Sequence, residues 1–177
     1  MDMKLSYMLT KRQLTDFGEF LAVEAPTARV QLKKKRKQLL LIALAPAAVA
    51  VLSFIRVWEQ GSSAQLLLGV GCVIAAGAMC ITALRLPSIV RHNVRRQMEQ
   101  QSRPEHIPET TLDLGSGVLV VEERGQTSIL PLRQYSGCEK RTDCRYLLFG
   151  ARGVCVPEAA LTDAQWEELT EFLHSKI

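Results

Sequence analysis

Two uncharged apolar runs lie almost back to back in this chain, and few folds can hold them. The first, Leu39 to Ile55 (LLLIALAPAAVAVLSFI), covers 17 residues. At a helical rise of about 1.5 Å per residue it reaches about 26 Å, just short of a bilayer core of about 30 Å. Val57 and Trp58 extend it, with the Arg56 side chain snorkelling to the interface. The second, Gly61 to Leu84 (GSSAQLLLGVGCVIAAGAMCITAL), is uncharged throughout and is long enough to span with some tilt. Adjacent runs of this length are rare in soluble cores, so the pattern predicts a transmembrane helical hairpin. A cleavable signal is the other use of the first run. That run begins after 38 residues, beyond the usual signal of about 15–30.

The connection, about Arg56 to Ser63, is short enough to force the helices antiparallel, so both outer ends fall on one side. Charge decides which side. Lys33, Lys34, Lys35, Arg36 and Lys37 precede the first helix, and Arg85, Arg91, Arg95 and Arg96 follow the second. The connection holds Arg56 beside Glu59. The positive-inside rule places both flanks, and with them both termini, in the cytoplasm, as expected of a multi-pass protein of the inner cell membrane. The same nine basic residues form the expected membrane-surface site, with the anionic head groups of the bilayer as partner. The net charge of +4 conceals a split: residues 1–103 carry +9 and residues 104–177 carry −5. Nucleic acid is not an expected partner, because the basic runs flank apolar helices and lack interleaved aromatics.

Inside the hairpin, Pro46 falls mid-helix, where it should kink the helix or weaken one hydrogen bond. Gly69, Gly71, Ala75, Ala76, Gly77 and Ala78 give the second helix a small surface that favours close helix packing in lipid. Neither run contains Asp, Glu, Lys, Arg or His. Ionisable groups inside a membrane mark ion and proton paths, so a transporter or channel made of this chain alone is not expected.

Outside the hairpin, LTKRQLTDFGEFLAVEA reads as a short amphipathic helix. Leu14, Phe17 and Leu21 share a face, and Thr10 with Gln13 can form a capping box. This helix has two equal readings: lying in the membrane interface, or packing on a cytoplasmic domain. Past the second run, Leu86, Ile89, Val90, Val94 and Met98 keep helical spacing, and Pro87 predicts a break or kink before them. Pro104 and Pro108 bracket a linker. From about Thr110 the period becomes that of strands: TTLDL, VLVVEE, QTSILPL, RQYSGCEKR, CRYLLFG and GVCVP, separated by turns. A closing helix begins at the Thr162–Gln165 capping box and presents Trp166, Leu169, Phe172 and Leu173. The expected fold class is thus α+β, a transmembrane hairpin followed by a small antiparallel β domain. The expected divisions are 1–37, an N-terminal segment with the basic run; 38–85, the hairpin; 86–107, a basic juxtamembrane helix and linker; and 108–177, the β domain with its helix.

This order of parts resembles the YcxB-like family of bacterial membrane proteins. The resemblance covers most of the chain. It rests on the LTDFGEF segment, the basic run, the two apolar runs, and the strand–turn series LDLGSGVLVVEERGQTSILPLRQYSGCEKRTDCRYLLFGARGVCVPEAAL. That series ends in the Val156–Pro157 step before the last helix. The resemblance implies a pleckstrin-homology-like (PH-like) domain and carries no established activity. Family members often have Pro-Trp in a middle strand, where this chain has Pro131–Leu132.

The chemistry-bearing residues form no recognisable constellation. His92, His106 and His174 stand in no nucleophile motif, and no phosphate loop, dinucleotide fingerprint or HExxH is present. Cys138, Cys144, Cys155 and His174 do not match the spacing of a zinc knuckle. The five cysteines follow no disulfide framework. No enzyme activity, cofactor or metal is therefore expected. The expected role is a membrane-anchored cytoplasmic interaction or regulatory module, with a protein partner or a second copy of the chain. The alternative is a small accessory subunit of a transporter or channel assembly.

Overall fold

The computed structural model describes residues 3–60, 62–101, 109–115, 117–123 and 126–175. The Pro104–Pro108 linker, His106 and Gly61 lie outside the described residues. Two compact units emerge: Ala28–Arg91, and a second that joins Met1–Thr27 to His92–Ile177.

The first unit contains most of two long helices, α2 (Pro26–Gln60) and α3 (Ser63–Gln101). Both are long and apolar enough to cross a membrane, and only 17% and 11% of their most apolar stretches are buried. The side chains that are buried are small: Ala43, Ala50, Ser53 and Ala83. Gly69 belongs to the same seam, since a Cβ there would meet the Phe54 ring at 3.3 Å. The large side chains Leu41, Leu44, Leu52, Leu67 and Ile74 are exposed instead. A hairpin that folds in water would do the reverse, because large apolar side chains gain most from burial.

Three expectations change here. The basic run Lys33–Lys37 is part of α2, so residues 1–37 are not one segment. Residues 86–101 are the end of α3, which continues through Pro87 as α2 continues through Pro46. A proline costs a helix one N–H donor, and helices this long keep their bonds on either side. The connection is shorter than expected, since α2 ends at Gln60 and α3 begins at Ser63.

Among the described residues the second unit has seven strands: β1 (Met3–Met8), β2 (Glu109–Leu114), β3 (Val118–Glu123), β4 (Gln126–Pro131), β5 (Tyr135–Lys140), β6 (Cys144–Phe149) and β7 (Arg152–Pro157). Six follow the expected series. The seventh, β1, is not among the expected strands; it pairs antiparallel with β2, with Leu5 opposite Leu112 and Met3 opposite Leu114. The strands make two sheets rather than one, in the orders β1-β2-β3-β4 and β5-β6-β7. Between them the chain turns through Leu132–Gln134, where Leu132 is buried. All pairings are antiparallel. The β6–β7 turn uses Gly150 at φ 61°, a left-handed conformation that costs glycine little.

Two short helices complete this unit. Thr10 and Gln13 form the expected capping box at α1 (Lys11–Glu19), which runs into a π-helical turn, Phe20–Glu24. Thr162 and Gln165 form another at α4 (Asp163–His174), which buries Trp166, Leu169 and Leu173. Of the two readings of α1, packing on the β domain is the one observed. Phe17 and Phe20 each lie 4.9 Å from the Tyr146 ring. Arg141 binds Glu24 at 2.6 Å and lies 5.0 Å over the Phe20 ring.

Candidate functional site

A cleft of about 420 Å³ opens where α1 meets the strands. Its size falls in the range of small-ligand sites, about 300–1,000 Å³. The capping box starts α1 at a fixed residue, so Leu14, Phe17 and Leu21 recur on the face that lines the cleft. Tyr7 comes from β1, Val121 and Glu123 from β3, Leu130 from β4, and Arg152 to Cys155 from β7.

Gly153 allows α1 this approach to the strands, and Gly18 lets it lie against α3. A Cβ on Gly153 would lie 3.1 Å from the Leu147 carbonyl and 3.2 Å from both Leu21 and Phe17. One on Gly18 would lie 2.9 Å from the Met98 methyl. A larger side chain at Gly153 would push α1 off β7, whereas one at Gly18 would displace the end of the Met98 side chain on α3.

The cleft is lined largely by apolar side chains, and its Tyr7 hydroxyl is committed. The Tyr7 hydroxyl donates to the Cys155 carbonyl at 2.7 Å, and burial pushes its pKa well above the usual range. Burial also raises the Cys155 and Cys144 thiols. The thiolate is the nucleophilic form of cysteine, so both remain packed thiols. Glu123 and Arg152 supply opposite charges to the lining. This arrangement can hold an apolar body with a polar edge, and it presents no activated nucleophile within the cleft.

A second polar cluster holds β5, β6 and α4 together. Glu158 accepts from Arg145 at 2.9 and 3.2 Å and pairs with Lys140 at 2.9 Å. Arg145 also lies 4.6 Å over the Trp166 ring. These contacts sit beside the closing helix and serve its docking.

The sequence-predicted membrane-surface residues are all exposed on two helices: Lys33, Lys34, Lys35, Arg36 and Lys37 on α2, and Arg85, Arg91, Arg95 and Arg96 on α3. Arg95 and Arg96 belong to the β-containing unit and the other seven to the hairpin unit. Arg95 pairs with Glu99 at 3.6 Å. Lys37 also lines a cavity between α2 and α3. The zinc candidates do not converge: the Cys144 and Cys155 thiols adjoin, while His174 packs edge-on against Tyr135 at 5.5 Å. Among the described residues no cluster of three or more His, Cys, Asp or Glu can hold a metal ion.

Sequence reasoning did not find the cleft. Its lining comes from β1, α1, α3, four further strands and a turn, and only the amphipathic spacing of Leu14, Phe17 and Leu21 pointed toward it. Compared with known proteins, the chain matches no family model, no curated protein and no solved structure.

Proposed function

We propose that this chain is a membrane-anchored, non-enzymatic interaction module of the inner membrane, with α2 and α3 crossing the bilayer and the β unit on the cytoplasmic side. The observation that carries this reading is the inverted hairpin: small side chains in the seam, large apolar ones outside. Lipid tails solvate Leu and Ile as well as protein does, so helices in lipid pack through small residues. The pairing of β1 with β2 supports an even number of crossings, because the two strands precede and follow the hairpin in sequence. The basic flanks support the cytoplasmic side.

Four plus three antiparallel strands closed by one helix also support the PH-like, YcxB-like reading. In that reading the hairpin is an insert between the first two strands. The β unit is then the interacting part, and its cleft beside α1 takes an apolar segment of a partner protein.

Fractionation tests the anchor. After lysis, the chain should pellet with membranes and resist alkaline carbonate. Release by carbonate would overturn the reading.

One observation favours a second role, as an accessory subunit of a transporter or channel. Added Cβ atoms on Gly71 and Gly77 would meet nothing within 4 Å, which leaves notches on α3 for another membrane helix. Purification in mild detergent separates the two. A stoichiometric polytopic partner supports the subunit role, and its absence supports the independent module.

A further inference from the structure

The seam between α2 and α3 opens into a groove of about 480 Å³. It exists because the facing residues are small: Ala43 and Ala47 on α2, Ala76 and Cys80 on α3. Leu40, Leu41 and Leu44 form its walls, and Lys37 is the one charged residue that lines it.

The helices also fix the height of a second cation. Gly69 of α3 lies against Phe54 of α2. At a rise of about 1.5 Å per residue, Lys37 stands about 25 Å along α2 from that contact, and Arg85 about 25 Å along α3 in the same direction. Lys33 and Lys34 lie one turn before Lys37 on the same side of α2. The groove is therefore apolar along its length, with cations gathered at one end. An amphiphile with a hydrocarbon chain and an anionic head has the same polarity.

We infer that this groove is a binding site for an anionic phospholipid, with one acyl chain along Ala43, Ala47, Ala76 and Cys80 and the phosphate at Lys37. The inference rests on the membrane reading above. A second copy of the chain is the competing occupant. In the same membrane and orientation it would bring another basic collar to the same height, and like charges at an interface oppose association.

The test uses the full chain in mild detergent, followed by native mass spectrometry during titration with phosphatidylglycerol and, in parallel, phosphatidylcholine. One phosphatidylglycerol should be retained per chain while phosphatidylcholine is lost. Lys37→Ala should weaken retention about fivefold, the equivalent of about 1 kcal/mol per surface cation. Ala76→Leu, which fills the groove, should abolish it.

Because Ala76→Leu can disturb the seam itself, a Cys72→Ser chain gives a second readout, with Cys80 then the one thiol in the hairpin. Phosphatidylglycerol should slow the reaction of Cys80 with N-ethylmaleimide, and glycerol phosphate should not. Equal retention of the two lipids overturns the inference, as does a Cys80 that phosphatidylglycerol leaves unprotected. Protection by glycerol phosphate would make this a phosphate site without an acyl groove, and a Cys80–Cys80 crosslink would give the groove to a second copy. Both outcomes overturn it. A chain recovered in the soluble fraction instead defeats the membrane reading before any lipid is added.

Discussion

Trp166 is completely buried, and its indole N–H donates to the Glu158 carbonyl at 3.2 Å. Truncating a buried Trp to Ala costs about 3–5 kcal/mol, comparable with the whole stability of a small unit. Trp166→Ala should therefore abolish cooperative unfolding of the β unit in the full chain, read by thermal melting in detergent. An unshifted melt would move Trp166 out of the core. Trp58 is 93% exposed, so Trp58→Phe should leave the β unit intact with Trp166 as the one tryptophan. That variant makes Glu158 testable. Hydrogen bonds from Arg145 and then Lys140 hold the Glu158 carboxyl at about 2, below its ordinary 4.5. A pKa lowered by folding adds stability above the unfolded value, and the gain is lost as pH falls through the folded one. The contribution is thus complete above about pH 4.5 and fades toward pH 2. Glu158→Gln should flatten that part of the acid transition in Trp166 emission; an unchanged acid limb would show that the pair contributes nothing.

Elements with local signals were legible in the sequence. The two apolar runs, the six strands between turn residues, and the capping boxes at Thr10 and Thr162 all declare themselves within a few residues. Strand β1 does not. MKLSYM alternates Met3, Leu5 and Tyr7 with polar residues, but over only six residues, with no neighbouring hairpin turn and a partner more than a hundred residues away. The division into two sheets was also hidden, since a period of two tells which face a residue takes and not which strand lies beside it. The cleft was unreadable for the same reason, because Tyr7, Leu14, Val121 and Arg152 meet only after all those pairings form. The consequence is testable at this scale. A fragment of residues 108–177 lacks β1 and leaves one edge of β2 open, so it should aggregate or melt without cooperativity. Joining residues 3–9 to residue 109 through a short Gly-Ser turn should restore a cooperative melt. A stable, monomeric 108–177 fragment would mean that β1 is dispensable.

For the whole molecule, orientation is the property from which the proposed role follows. A reporter active only outside the cytoplasm should be silent when fused to either terminus, and active when placed between α2 and α3. An active C-terminal fusion would refute the cytoplasmic placement of the β unit. The pairing of β1 with β2 carries a further implication for how such a chain is made. On the membrane reading, β1 leaves the ribosome before the hairpin and stays without its neighbour until both helices have crossed. If only one helix inserts, the two strands end on opposite faces of the bilayer and β2 keeps an open edge. An open edge is a template for aggregation, and it is also a mark by which a protease or chaperone can recognise a failed product. On that reading the first sheet reports incomplete insertion: a chain with one helix across the membrane cannot close it, whereas one that has crossed and returned can.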